Sequence, residues 1–178
     1  MKKMLNKYLV ITNSYIDLMK PNILIMVLIT TILGYFLGSD AKILWSNLTW
    51  MLIGTTFSAG GAGVLNQYLE RDQDKIMNRT CNRPIPSGKI SPQNALIFGI
   101  ITVIVGTVIL LVKTNLLTGF LSLLTAFMYV LIYTPMKRVT WLNTSLGSIP
   151  GALPPVGGWA AATNSIDSGA WILFAILY

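Results

Sequence analysis

The chain has 178 residues, of which 53% are hydrophobic and only 11% are charged, whereas a soluble domain carries about 25% charged residues. It has no histidine and one cysteine, Cys81, so these residues offer no His-based acid–base chemistry, no His ligation of a metal or haem, and no internal disulfide. The net charge of +7 suits either nucleic acid or an anionic membrane surface, and its distribution along the chain separates the two.

Lys2, Lys3 and Lys7 precede an apolar run at 22–38 that is long for a signal peptide and lacks a small-residue cleavage site. It reads as the first transmembrane helix. Further apolar runs follow at roughly 47–69, 94–112, 116–134 and 142–162, and a last one at 170–178. The expectation is a single all-α domain over 1–178, a polytopic transmembrane helix bundle of five spans and part of a sixth. The last run, AWILFAILY, has about half the length needed to cross a bilayer, so the chain reads as truncated at its C-terminus.

Basic residues alternate between loops. The N-terminal segment holds Lys2, Lys3, Lys7 and Lys20; the 70–92 loop holds Arg71, Lys75, Arg79, Arg83 and Lys89; the 135–141 loop holds Lys137 and Arg138. The intervening loops hold only Lys42 and Lys113. This places the N-terminus and the 70–92 loop in the cytoplasm, with the lipid bilayer of a bacterial inner membrane as the partner. A face for nucleic acid would not alternate, so no nucleic acid is expected.

Within the second run, SAGGAG (58–63) lets helices approach closely. It serves packing, or clears room for a ligand beside Asn66. The run near 142–162 contains LGSIPGALPPVGGW, with Pro150, Pro154 and Pro155. It is expected to kink or break, either packed in protein or lining a cavity.

The acidic residues of the central region gather in NQYLERDQDKIMNRTCNRPIPSG (66–88). If the second helix continues to Met77, Asn66, Glu70 and Asp74 fall at about 0°, 40° and 80° on one face, and Asp72 near 240° on the other side. Oxygen ligands without His or Cys suit a hard cation such as Mg²⁺, which is commonly held by one or two carboxylates plus substrate phosphates. Nearby arginines match phosphate oxygens. Together with the apolar flanks they suggest a ligand with a diphosphate head and a hydrocarbon tail. Arg71, Lys75, Lys89 and Asp72 read as solvated loop charges, Thr80 and Asn82 as turn residues, and RPIPSG as the turn into the third span.

The stretch NQYLERDQDKIMNRTCNRPIPSGKIS resembles the first aspartate-rich motif of the UbiA superfamily of intramembrane prenyltransferases. Its wording is similar to the branch that farnesylates protoheme IX. MKPNILIMVLITTILGYFLG and YTPMKRVTWLNTSLGSIPGALPPVGGW agree with it. The resemblance implies an enzyme with a helical bundle around a central cavity. It moves the farnesyl group of farnesyl diphosphate to a vinyl group of protoheme IX, with Mg²⁺ assisting ionisation of the allylic diphosphate. Asn66, Glu70 and Asp74 match the metal–diphosphate positions, and Arg79 and Arg83 the diphosphate contacts. Lys137 and Arg138 match a basic pair with an anion-facing role, and Tyr133 lines the same mouth. Glu70 stands where the family more often has Asp. The family's second acidic motif would lie beyond residue 178, so residues 1–178 alone are expected to be inactive. Two other readings stay open: a prenyltransferase of the same superfamily acting on an aromatic quinone precursor or a lipid, and a non-catalytic membrane protein that binds a cation.

Overall fold

The computed structural model describes residues 2–40, 42–137 and 139–178, with side chains from Val10 onward. Among them every regular element is a helix: α1 Lys2–Leu18, α2 Pro21–Gly38, α3 Trp45–Asp74, α4 Pro92–Lys113, α5 Leu116–Phe127, α6 Thr134–Met136, α7 Asn143–Thr163 and α8 Ser168–Leu177, with a π-helical stretch Met128–Tyr133 joining α5 to α6. Each of the six apolar runs falls on a helix. By length and composition four segments can cross a membrane: Pro21–Gly38, Trp45–Asp74, Pro92–Lys113 and Leu116–Met136. Helix α1 has no counterpart among the expected spans, because its mixed polarity hides it from a search for apolar runs.

Local chemistry sets several helix starts. Pro21 and Pro92 occupy first-turn positions of α2 and α4, where a missing N–H costs nothing. Ser91 caps α4 by accepting from the Asn94 amide at 3.2 Å, and Asn115 caps α5 by accepting from Thr118 N at 2.8 Å.

Two helix pairs form the frame, α3 against α4 and α2 against α7. Glycines bring both pairs close. A Cβ on Gly106 of α4 would stand 2.9 Å from the Ser58 Cα of α3, and one on Gly34 of α2 would stand 2.8 Å from the Pro155 Cα of α7. Both spacings are too short for any side chain. Part of 58–63 therefore serves packing, as Gly61 does against Val103. Ala59, Ala62 and Gly63 line a cavity instead, so the two readings of that stretch both apply, to different residues.

Of the kink or break expected in the 142–162 run, the break does not occur: α7 is one helix from Asn143 to Thr163, with three prolines inside it. Each proline removes one hydrogen bond to the carbonyl four residues earlier, which frees those of Leu146, Pro150 and Gly151. Close packing on α2 holds the helix together, and Pro150 and Gly151 line the cavity, where irregular backbone is tolerated. Large apolar side chains such as Ile25, Met26, Leu33, Ile101, Ile104 and Val112 stay exposed on the outer faces of α2 and α4, as lipid-facing residues do.

Candidate active site

Helix α3 continues past its apolar run to Asp74. As its period requires, Asn66, Glu70 and Asp74 share one face. They are 1%, 6% and 4% exposed. Asp72 points away, its side chain 77% exposed and 3.7 Å from Arg71.

Three cations close on this face from three parts of the chain. Arg83 Nη1 lies 2.6 Å from Asp74 Oδ2 and 3.9 Å from Glu70 Oε2. Lys137 Nζ pairs with Glu70 Oε1. Lys20 Nζ donates to Asn66 Oδ1. Arg83 is held there by its neighbours: Ile85 and Ile90 are buried in a cluster with Leu18, Val64 and Ala95, which folds the 75–91 loop back over the end of α3. The Thr80 hydroxyl, donating to the Asp74 carbonyl at 3.2 Å, ties the same loop down.

Lys20 and Thr134 were not among the site residues expected from sequence. Lys20 adopts the left-handed conformation, φ 55°, immediately before Pro21, a strained state for a non-glycine residue. Gln67 fixes its approach by donating to the carbonyls of Asp17 and Leu18 at 3.2 and 3.1 Å. Burial, with the charges of Arg83 and Lys137, pulls the Lys20 ammonium down from 10.5 to about 8, against the opposing effect of Asp74. Thr134 is buried beside Asn66. It accepts from Asn66 Nδ2 at 2.8 Å and donates to the Tyr129 carbonyl at 2.8 Å, a five-residue reach set by the π-helical stretch. The bond to Thr134 fixes the amide so that Asn66 Oδ1 faces Lys20. The signal in the sequence was slight: a lone lysine before a proline at the edge of a span, and a Thr-Pro pair at the end of another.

The remaining expected residues divide. Tyr133 lines the cavity and its ring stacks on Tyr129 with centroids 5.8 Å apart. Arg79 is exposed on the outside of the loop and forms no ion pair among the described residues. Arg138 lies outside the described residues. No cluster of three or more His, Cys, Asp and Glu forms among the described residues, so Glu70 and Asp74 are the carboxylates gathered at this mouth.

Beside the charged cluster lies a cavity of about 580 Å³, within the range of ligand sites, whose lining includes Lys20, the partner of Asn66, but not the carboxylates themselves. Lys20 and Tyr133 stand at its rim, Ile23, Leu24 and Val27 along α2, and Ala59 and Ala62 along α3. Three cations to two carboxylates leave the mouth with one surplus positive charge. This combination can hold an anionic head group at the entrance and an apolar chain inside.

Residues 27–178 match the family model described as the UbiA prenyltransferase family. The chain is 42% identical over 173 residues to a protoheme IX farnesyltransferase of Solibacter usitatus, and 44% identical over 163 residues to one of Salinibacter ruber. Each match covers 92% of this chain and 59% and 58% of those relatives, so the chain spans little more than half of their length. Two solved structures share the fold. One, from work on digeranylgeranylglyceryl phosphate synthase in membranes, has a TM-score of 0.81 at 22% identity, covering 94% of this chain and 58% of that one. The other, a UbiA homolog from Archaeoglobus fulgidus bound to DMAPP and Mg²⁺, has a TM-score of 0.68 at 16% identity, covering 84% and 53%. Apolar helices of spanning length and this family match make the chain part of an integral membrane protein. It belongs to the UbiA prenyltransferase family.

Proposed function

We propose that this chain carries the diphosphate-binding half of an intramembrane prenyltransferase that moves a farnesyl group from farnesyl diphosphate to a vinyl group of protoheme IX. The observation that carries the reading is the buried Asn66–Glu70–Asp74 face, ringed by Lys20, Arg83 and Lys137, at the mouth of an apolar cavity. The relatives named protoheme IX farnesyltransferase support the choice of acceptor.

The donor set fits Mg²⁺. Two buried carboxylates and an amide oxygen on one helix face are hard ligands, and the remaining positions suit water and substrate phosphates. Asn66, Glu70 and Asp74 would hold the ion. The chemistry it supplies there is neutralisation of the leaving diphosphate. Lys20, Arg83 and Lys137 bind and orient the head group, and Arg83 offers it the forked donors that phosphate oxygens match. When the C1–O bond breaks, its electron pair leaves with the diphosphate, which these cations stabilise. The apolar lining keeps the allylic cation from water until the π electrons of the vinyl group form the new C–C bond. Water then adds to the resulting haem-side cation and loses a proton. No protein nucleophile takes part. The basic loops support a site facing the cytoplasm, with Arg79 as a loop charge rather than a ligand.

The test is to supply the membrane-embedded intact protein with farnesyl diphosphate and Mg²⁺, and either protoheme IX or 4-hydroxybenzoate. The expected product is hydroxyethylfarnesyl haem from protoheme alone. Prenylation of the benzoate instead would move the protein to the quinone-precursor branch. No product from either acceptor, with no diphosphate released, would favour the non-catalytic cation-binding reading.

A further inference from the structure

The cavity wall is not uniformly apolar. The side built by α2 carries Ile23, Leu24 and Val27, whereas the side built by α3 and α5 carries the hydroxyls of Thr55, Ser58, Thr118, Ser122 and Thr125. An apolar chain needs no hydroxyl beside it. Two of these groups are engaged locally: Thr125 donates to the Leu121 carbonyl at 2.7 Å and Thr118 to Asn115 Oδ1 at 2.9 Å, as threonines in helices and near caps do. The other three keep capacity for a ligand. Ser122 donates to Ser58 Oγ at 2.7 Å across the α3–α5 seam, so one of the pair's two hydroxyl protons is engaged and the other is not. Thr55 lies three residues from Ser58 on the same face of α3, and its hydroxyl has no partner among the described residues.

Packing explains the size of Ser58 but not its hydroxyl. Gly106 of α4 crosses α3 against the Ser58 backbone, and alanine would meet that crossing equally well. Ser58 is 3% exposed, and a buried hydroxyl proton without an acceptor is costly. Acceptors come from α7. Pro154 and Pro155 leave the carbonyls of Pro150 and Gly151 without their helical donors, and both residues line the same cavity. Leu121, beside Ser122, shares a buried cluster with Leu153 of α7, which sets the hydroxyls and these carbonyls at neighbouring levels. A buried water needs about three such hydrogen-bonding groups around it.

The hydroxyls also stand at a useful depth. Ser58 is eight residues from Asn66 along α3, roughly 12 Å. A diphosphate held at the mouth extends its C1 into this interval. A file of two waters from Ser58, at about 2.8 Å per hydrogen bond, spans about half of it.

We propose that Thr55, Ser58 and Ser122 hold the water that adds to the haem-side cation after prenyl transfer. This rests on the protoheme reading of the site and names the groups that direct its last step. The terminal vinyl carbon bonds to farnesyl C1, leaving the positive charge on the vinyl carbon attached to the macrocycle. A lone pair of the held water forms the C–O bond there, and the extra proton passes through a second water to the released diphosphate. Without that water, the same cation loses a proton from its neighbouring CH₂ to the diphosphate and gives an alkene. Hydrogen bonds on the α3–α5 side keep the water away from the allylic chain, which the apolar α2 wall receives.

The experiment supplies intact wild type, Ser58→Ala and Thr55→Val in nanodiscs with farnesyl diphosphate, Mg²⁺ and protoheme IX, and resolves the haem products by mass spectrometry. Wild type gives the hydroxylated product. In each variant the ratio of alkene to alcohol rises by about tenfold, roughly what one hydrogen bond to the water contributes, and Thr55→Ser keeps the wild-type ratio. The ratio is read at whatever turnover a variant retains, so a loss of α3–α5 packing alone, which lowers both products together, does not move it. Should Ser58→Ala not accumulate in the membrane, Thr55→Val and Thr55→Ser decide. An unchanged ratio in the folded variants, or alkene as the main wild-type product, overturns the water site and leaves the acceptor reading standing. No haem product from wild type removes both.

Discussion

The hydroxyl of Thr134 offers a sharp test of how the mouth is organised. Thr134→Val keeps the shape of the side chain and removes its only polar atom. Two groups then lose a partner: Asn66 Nδ2, which Thr134 accepts at 2.8 Å, and the Tyr129 carbonyl, to which it donates at 2.8 Å. Asn66 is 1% exposed, so water does not replace the lost bond. The Tyr129 carbonyl still accepts from the backbone N–H of Thr134, so the buried group left unsatisfied is Asn66 Nδ2, and the variant loses on the order of 1–3 kcal/mol of stability. The functional effect is separate. With the amide unanchored, Asn66 Oδ1 no longer holds its orientation toward Lys20. Losing about 1.4–2.8 kcal/mol of head-group binding corresponds to a 10- to 100-fold fall in kcat/KM for farnesyl diphosphate. Steady-state kinetics in nanodiscs, with thermal unfolding of the same preparation, separates the two effects. Thr134→Ser retains the hydroxyl and is expected to recover most of the activity. Wild-type kinetics in Thr134→Val, or equal damage in Thr134→Ser, would refute the positioning role.

The two arginines of the loop should behave differently. Arg83→Met, which leaves the Asp74 carboxylate buried without its 2.6 Å partner, is expected to destabilise the protein by about 3 kcal/mol, with some relief because Arg83 is partly exposed, and to raise KM for the diphosphate at least tenfold. Arg79→Met is expected to change kcat/KM less than twofold, since Arg79 lies outside the cluster; the same kinetic assay compares them. Lys20→Met should raise KM for farnesyl diphosphate by about tenfold, because it removes a cation from an electropositive mouth, and should lower the unfolding temperature, because it also leaves the buried Asn66 Oδ1 without its donor; an unchanged KM would exclude Lys20 from head-group binding. Gly34→Leu should prevent accumulation of folded protein, because a Cβ there runs into the backbone of Pro155; normal yield by size-exclusion chromatography would contradict the α2–α7 contact.

Much of the bundle can be read from the chain because long apolar runs and helix periodicity are local properties. The continuation of α3 to Asp74, and with it the shared face of Asn66, Glu70 and Asp74, follows from a run without proline and a fixed period. What escapes the sequence depends on tertiary contact. Three prolines argue for a break in α7, but glycine-mediated packing on α2 holds that helix together. Arg79 and Arg83 look alike in the sequence, and only the burial of Ile85 and Ile90 turns one of them inward. Lys20 resembles a topology charge until Gln67 fixes the end of α1 beside it. Thr134 meets Asn66 through a π-helical stretch that the apolar run MYVLIY does not announce. Asp72 stands two residues from both Glu70 and Asp74, and helix geometry alone is enough to exclude it.

The central claim is that Asn66, Glu70 and Asp74 form one half of a Mg²⁺–diphosphate site. Its most direct test is Mg²⁺-dependent binding of farnesyl thiolodiphosphate to wild type, Glu70→Gln and Asp74→Asn in nanodiscs, measured beside product formation. Wild type should bind more tightly as Mg²⁺ is added, whereas both variants should lose that dependence and all detectable transfer while keeping their fold. Retained Mg²⁺-dependent binding and activity in Asp74→Asn would contradict it.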